Sequence, residues 1–150
     1  MTTEIAQFMR KLERSWDEHV EALVTRRSVD AALSQLANAP SVKHLPMLTG
    51  AEGEVALGRF YRETLLPHLP SELAWTRTAR VVDRFRLVDE LTVSFVHDRE
   101  LPWLLPGVEA TGRSVSVTAV VIVGFDRGAI ASVRTHWDLA SLTQQLGLSG

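Results

Sequence analysis

The stretch that most limits what this chain can fold into is its last quarter, Ser114 to Leu148. An apolar run from Ser114 to Phe125 reads as a long strand. Asp126-Arg127-Gly128 follows as a turn, and Ala129 to Asp138 reads as a second strand. A short helix ending at Gly147 completes the segment. Two long strands joined by a turn need a second layer over their apolar face. The pair is therefore expected to form the floor of an apolar pocket, with the earlier part of the chain closing over it.

That earlier part supplies helices. Ile5, Phe8, Leu12, Trp16, Val20, Leu23 and Val24 recur at helical spacing and predict an amphipathic helix from about Thr3 to Thr25. His19 borders the stripe and reads as a half-exposed helix residue. Ser28 is placed to cap a second helix that buries Ala32, Leu33 and Leu36 and stops at Asn38-Ala39-Pro40. Ser41 to Met47 reads as a short strand carrying His44. Thr49-Gly-Ala-Glu52 has capping-box spacing, and a third helix is expected to about Leu66, burying Val55, Leu57, Phe60 and Tyr61, with Pro67 and Pro70 ending it.

From Leu73 the signal changes to strands. Ala74 to Val82 is one, and Asp83-Arg84 is a turn. Phe85, Leu87, Leu91, Val93 and Phe95 alternate with mostly polar neighbours to His97, with a bulge expected at Asp89-Glu90. Asp98 to Arg113 is an apolar loop around Trp103 that is expected to cover something. Helices first and strands second imply an α+β fold: N-terminal helices on a curved, mostly antiparallel sheet, with a short C-terminal helix, in a single domain over residues 1–150.

Composition removes several functions. The net charge of -2, with no basic stripe, argues against nucleic acid as the partner. With no cysteine there is no disulfide, thiolate metal site or thiol nucleophile. The polar Met-Thr-Thr-Glu start does not read as a signal peptide, and no apolar run reaches a membrane span, so a cytoplasmic location is the default expectation. No phosphate loop, nucleophile elbow or helical His pair is present. A reaction, if the chain performs one, is expected to be acid–base chemistry with no metal or cofactor.

The candidate residues concentrate in the last strand. Arg134, His136 and Asp138 share one parity, and Val133, Thr135 and Trp137 the other. The charged face either lines the pocket or meets solvent. A carboxylate near an imidazole and a guanidinium can transfer a proton and stabilise the resulting charge. Asp138 is also well placed as the N-cap of the final helix. His97 ends the apolar alternation of its strand, where burial would favour a neutral ring able to act as a base. The catalytic candidates are Asp138, His97 and Arg134; the substrate-binding candidates are His44, His136, Trp103, Phe60 and Trp75.

Three groups of residues together resemble a known family: Val42-Lys-His44 with Thr49-Gly50 and Phe60-Tyr61; Phe95-Val-His97-Asp-Arg-Glu-Leu-Pro-Trp103-Leu-Leu-Pro-Gly107 with Thr111-Gly112; and His136-Trp-Asp138-Leu-Ala-Ser141 with Gln145-Leu-Gly147. The pattern, spanning roughly Ser41 to Leu148, resembles SnoaL-like proteins of the nuclear transport factor 2-like superfamily. The resemblance implies a cone-shaped α+β barrel, a homodimer packed through the outer face of the sheet, and an apolar pocket inside the cone. It also implies a relationship to polyketide cyclases, in which an aspartate near the end of the last strand is the acid–base residue; Asp138 is its nearest match. The function expected on this basis is a cofactor-independent cyclase or isomerase acting on an apolar, carbonyl-bearing small molecule such as a polyketide intermediate. The alternatives are an epoxide hydrolase, with Asp138 activating water and Asp98 as second acid, or a non-catalytic binding or dimerisation domain.

Overall fold

A computed structural model describes residues 2–148. Helix α1 (Thr2–Val20) runs on through a wider π-helical turn, Glu21–Thr25, and a short α2 (Val29–Leu33) follows. Strands β1 (Leu36–Leu45) and β2 (Thr49–Glu52) precede α3 (Glu54–Arg59), which continues as a second π-helical segment, Phe60–Leu65, and a 3-10 turn at Leu66–His68. Then come β3 (Leu73–Val82), β4 (Arg86–Val96), β5 (Ser114–Asp126), β6 (Ala129–Trp137) and α4 (Leu139–Gln145).

The six strands form one mixed sheet in the order β2-β1-β6-β5-β4-β3, and the sheet does not close on itself. β1 runs parallel to β6, and the other neighbours are antiparallel. The β5–β6 hairpin turns at Arg127-Gly128, both at positive φ, which suits the right-handed twist of the flanking strands. Alternation fixes the two faces. Leu87, Leu91, Val93 and Phe95 of β4 interleave with Val115, Val117, Val121 and Val123 of β5 on the buried face, under the helices. Ser94, Thr118 and Val120 lie on the other face.

Five details depart from the sequence expectations. The spacing of Leu33 and Leu36 imitates a helical repeat, yet α2 stops at Leu33 and Leu36 already pairs with Ile130 of β6. The Asn38-Ala39-Pro40 segment bulges out of that ladder instead of ending a helix. Thr49–Glu52 is a strand, not a capping box; Gly53 opens α3 without a side-chain cap. Gly50 in that strand allows close approach to β1, because a Cβ there would overlap the carbonyl of Val42. Val55 is exposed, not buried. The bulge near Asp89-Glu90 belongs to the partner strand: Arg77 faces Leu91 and Ala79 faces Glu90, leaving Thr78 as the extra residue. Its hydroxyl donates to the Glu90 carbonyl at 3.1 Å. The Ser28 cap is present, its hydroxyl accepting from the Ala31 N–H at 3.2 Å.

Candidate functional site

Between the helices and the buried face of the sheet lies a narrow chamber of about 60 Å³. All four tryptophans of the chain, Trp16, Trp75, Trp103 and Trp137, contribute to its wall. No Asp, Glu, Lys or Arg lines it among the described residues. Its polar groups are His19, His44, Tyr61 and Thr135.

The two π-helical turns help to place these groups. In each, an N–H reaches the carbonyl five residues back: Arg26 to Glu21 (2.9 Å), and Leu66 to Tyr61. Such a turn carries one residue more than an α turn and is frequent at functional sites. The first lies directly after His19 and Val20, and the second contains Tyr61 and Leu65, all of which line the chamber.

His44 comes from β1, on the same parity as Val42. The Trp137 indole N–H donates to His44 Nδ1 at 3.1 Å. An indole N–H only donates, so Nδ1 is unprotonated and the neutral ring carries its proton on Nε2. That Nε2–H has no hydrogen-bond partner among the described residues. Rings pack around it: Trp103 at 5.3 Å, Phe60 at 6.1 Å and Trp137 at 6.2 Å between centroids. Burial pushes the His44 pKa down to about 4.

His19 has the opposite tautomer. Its Nδ1 lies 2.9 Å from the Ala32 carbonyl, which only accepts, so Nδ1 carries the proton. Its Nε2 is therefore free to accept from the Tyr61 hydroxyl at 3.2 Å. Burial pushes the His19 pKa down to about 4, against a smaller opposing effect of the bond to Ala32. Burial likewise pushes the Tyr61 hydroxyl up, so it stays protonated. Trp16 stacks on the His19 ring at 5.6 Å. Its own N–H donates at 3.1 Å to Asp89, a buried carboxylate behind the chamber wall. Arg80 grips Asp89 with two bonds, 2.7 and 2.9 Å, and also reaches Glu13 and Asp17 of α1.

The candidates read from sequence separate into two groups. His44, Trp103 and Trp75 line the chamber, and Phe60 packs on His44. Trp103 is held by its N–H to the His68 carbonyl at 3.1 Å and by the Thr49 hydroxyl, which donates to its carbonyl, so the apolar loop is pinned over the chamber. Arg134 and His136 are exposed on the opposite face of β6, where charged groups keep their hydration, and do not reach the chamber. Asp138 is exposed at the start of α4, accepting from the Ser141 N–H at 3.1 Å as its N-cap. His97 is fully buried and makes no part of the chamber wall. Its Nδ1 accepts from the Thr111 N–H at 3.1 Å, and its Nε2 has no partner among the described residues. Burial lowers the His97 pKa, with Asp98 opposing. Asp98 is paired with Arg99 and bonded to Ser71 at the surface. His19, Tyr61, Thr135 and Trp137 are the chamber groups that the sequence reading does not assign. Their signal is the apolar parity of each element: His19 lies three residues after Trp16 on α1, and Thr135 and Trp137 alternate with Val133 on β6.

This architecture recurs among solved structures. A nuclear transport factor 2-like protein of unknown function from Burkholderia pseudomallei superposes with a TM-score of 0.69 at 20% identity, over 91% of this chain and 97% of that one. This is the nuclear transport factor 2-like fold. A candidate SnoaL-like polyketide cyclase from Jannaschia sp. matches with a TM-score of 0.71 at 15% identity, over 91% and 94% of the two chains. A protein of ketosteroid isomerase-like fold from Catenulispora acidiphila, in complex with trimethylamine, matches with a TM-score of 0.67 at 12% identity, over 90% and 93%. No protein-family model matches the sequence, and no curated protein does. The nuclear transport factor 2-like neighbours thus agree with the SnoaL-like resemblance at the level of the fold. Among the described residues no helix is long and apolar enough to cross a membrane, and no cluster of three or more His, Asp or Glu is arranged to hold a metal ion.

Proposed function

We propose that the chamber binds the carbonyl-bearing end of an apolar small molecule and moves a proton on it without a cofactor, in chemistry of the isomerase or cyclase type. The observation that supports this reading is the opposed orientation of two neutral histidines in one aromatic chamber. His44 presents a donor, and the His19–Tyr61 pair presents an acceptor.

A carbonyl oxygen set against His44 Nε2–H is polarised there, and the charge that develops on it is stabilised more strongly than in water because the wall carries few competing dipoles. The proton lost from the neighbouring carbon passes to the Tyr61 oxygen as the Tyr61 proton passes to His19 Nε2. The Ala32 carbonyl, bonded to Nδ1–H, steadies the imidazolium that results. A histidine with a pKa of about 4 is as weak a base as a free aspartate, so this pair takes the part that sequence reasoning gives to Asp138. Return of the proton to a different carbon isomerises the molecule; attack of the enolate on a second carbonyl closes a ring.

The test uses 2-butanone, a ketone small enough for the chamber. Binding is followed by tryptophan fluorescence, and hydrogen–deuterium exchange beside the carbonyl by NMR in heavy water. Exchange should exceed the buffer rate and fall on the order of a hundredfold in Tyr61→Phe and in His44→Phe. Binding without exchange would reject proton transfer and leave a small-molecule carrier.

A further inference from the structure

The chamber does not stand alone. An open groove of about 620 Å³ lies beside it, running over the start of β3, the end of β4 and the start of β5. Two residues, Val24 and Leu73, line both spaces and form the partition between them. Val24 belongs to the first π-helical turn and Leu73 is the first residue of β3. Both are only half-buried.

Volume separates the roles of the two spaces. At roughly 10–15 Å³ of cavity per water-sized group, the chamber holds a fragment of about four to six non-hydrogen atoms. Small-molecule sites commonly measure ~300–1,000 Å³, a range the groove reaches and the chamber does not. A molecule of ordinary metabolite size therefore cannot be enclosed by the chamber; one end enters and the rest must lie in the groove.

The chemistry of the two walls differs as well. The chamber is almost wholly aromatic and aliphatic. The groove mixes Phe95, Val96 and Val115 with the polar residues Ser94 and Ser114 and the charged residues Arg27 and Glu72. Donors and acceptors, and charges of both signs, line one space. A neutral hydroxyl, which both donates and accepts, suits such a wall better than a carboxylate or an ammonium, either of which would meet one charge of its own sign.

Arg27 also holds the doorway. Its Nε donates to the Val24 carbonyl (3.3 Å), its Nη1 to that of Leu69 (3.2 Å) and its Nη2 to that of Pro70. The guanidinium thus staples the turn carrying Val24 to the segment that leads into Leu73.

We infer that chamber and groove form one bipartite site for an elongated amphipathic ligand, whose apolar carbonyl end passes between Val24 and Leu73 and whose hydroxyl-bearing end stays in the groove. This rests on the chamber being the ligand site, and the experiment separates the two claims. Dissociation constants are measured by tryptophan fluorescence for 2-butanone, 2-decanone and 10-hydroxydecan-2-one. The hydroxylated chain should bind at least as tightly as 2-decanone, whereas partitioning into an apolar cavity alone gives the reverse order. Ala74→Phe and, separately, Ser114→Phe fill the groove at exposed strand positions without touching the chamber. Each should weaken both ten-carbon ketones at least tenfold and change 2-butanone less than twofold. If 2-butanone binds but the groove variants leave the long ketones unaffected, or 2-decanone binds tenfold more tightly than its hydroxylated analogue, the bipartite site is overturned and the chamber stands. If 2-butanone does not bind, the chamber reading fails and the bipartite site falls with it.

Discussion

Lowering the pH from 7 to 5 should destabilise this protein through His19 and His44. In the unfolded chain a histidine titrates near pH 6.5, and in the folded protein burial holds each of these rings at about 4. At pH 5 the unfolded rings are almost fully protonated while the folded ones remain mostly neutral. The unfolded state then binds more protons, so stability falls as the pH falls. The contribution is complete above pH 6.5, is withdrawn between 6.5 and 4, and is flat below. Between pH 7 and pH 5 the loss is about 2 kcal/mol per ring, or about 4 kcal/mol for the pair. His97, also lowered by burial, adds a loss of the same sign. Asp98 is held below the ordinary carboxylate range, first by its hydrogen bond to Arg99, and acts only at lower pH. The assay is urea unfolding followed by tryptophan fluorescence at pH 7 and pH 5. His44→Gln should be less stable than the wild type at pH 7 yet lose about 2 kcal/mol less on acidification, having one fewer buried ring to protonate. Equal pH dependence in wild type and His44→Gln, or a wild type indifferent to this interval, would refute the argument.

Two further substitutions test the surroundings of the chamber. Arg80→Met strips the buried Asp89 of its bidentate partner and leaves it only the Trp16 N–H; it should cost about 3 kcal/mol in urea unfolding, with much of that recovered in Arg80→Met/Asp89→Leu. A cost below about 1 kcal/mol would mean that Asp89 stays hydrated. Asp138→Ala should cost about 1 kcal/mol through loss of the α4 cap, and Asp138→Asn almost nothing, since asparagine caps as well. Neither should alter exchange on 2-butanone; a large loss in Asp138→Asn would return the acid–base role to this carboxylate.

The strand region was legible because its information is local. Alternation in β4, β5 and β6, and a Gly-containing turn between the last two, specify partners that are also neighbours in sequence. The failures occurred where a short pattern satisfies two structures. Leu33 and Leu36 suit a helix face, but Leu36 gains more by pairing with Ile130, nearly a hundred residues away. The Thr49…Glu52 spacing fits a capping box, but the segment is recruited as the edge strand beside β1. Parity in β6 grouped Arg134, His136 and Asp138 correctly and left open which group faces inward. The burial of Val133, Thr135 and Trp137 settles that, because apolar and hydroxyl side chains are cheaper to dehydrate than the charged or ionisable Arg134, His136 and Asp138. The apolar chamber and the rings of its wall were legible, but the hydrogen-bonded pairs inside it were not. The His19–Tyr61 pair joins residues 42 positions apart and the His44–Trp137 pair residues 93 apart, and neither leaves a motif.

The π-helical turn at Glu21–Thr25 makes the length of the first helix part of the site's specification. Each residue of an α-helix advances the face by about 100°. Deleting one residue here would relax the turn to an ordinary α turn and swing Trp16 and His19 by roughly that angle relative to Val24 and the Arg27 staple. The chamber wall and its doorway would then fall out of phase, although no side chain in either had been changed. A substitution at the chamber removes one group from it, but a single-codon deletion in this turn would dismantle the site in one step.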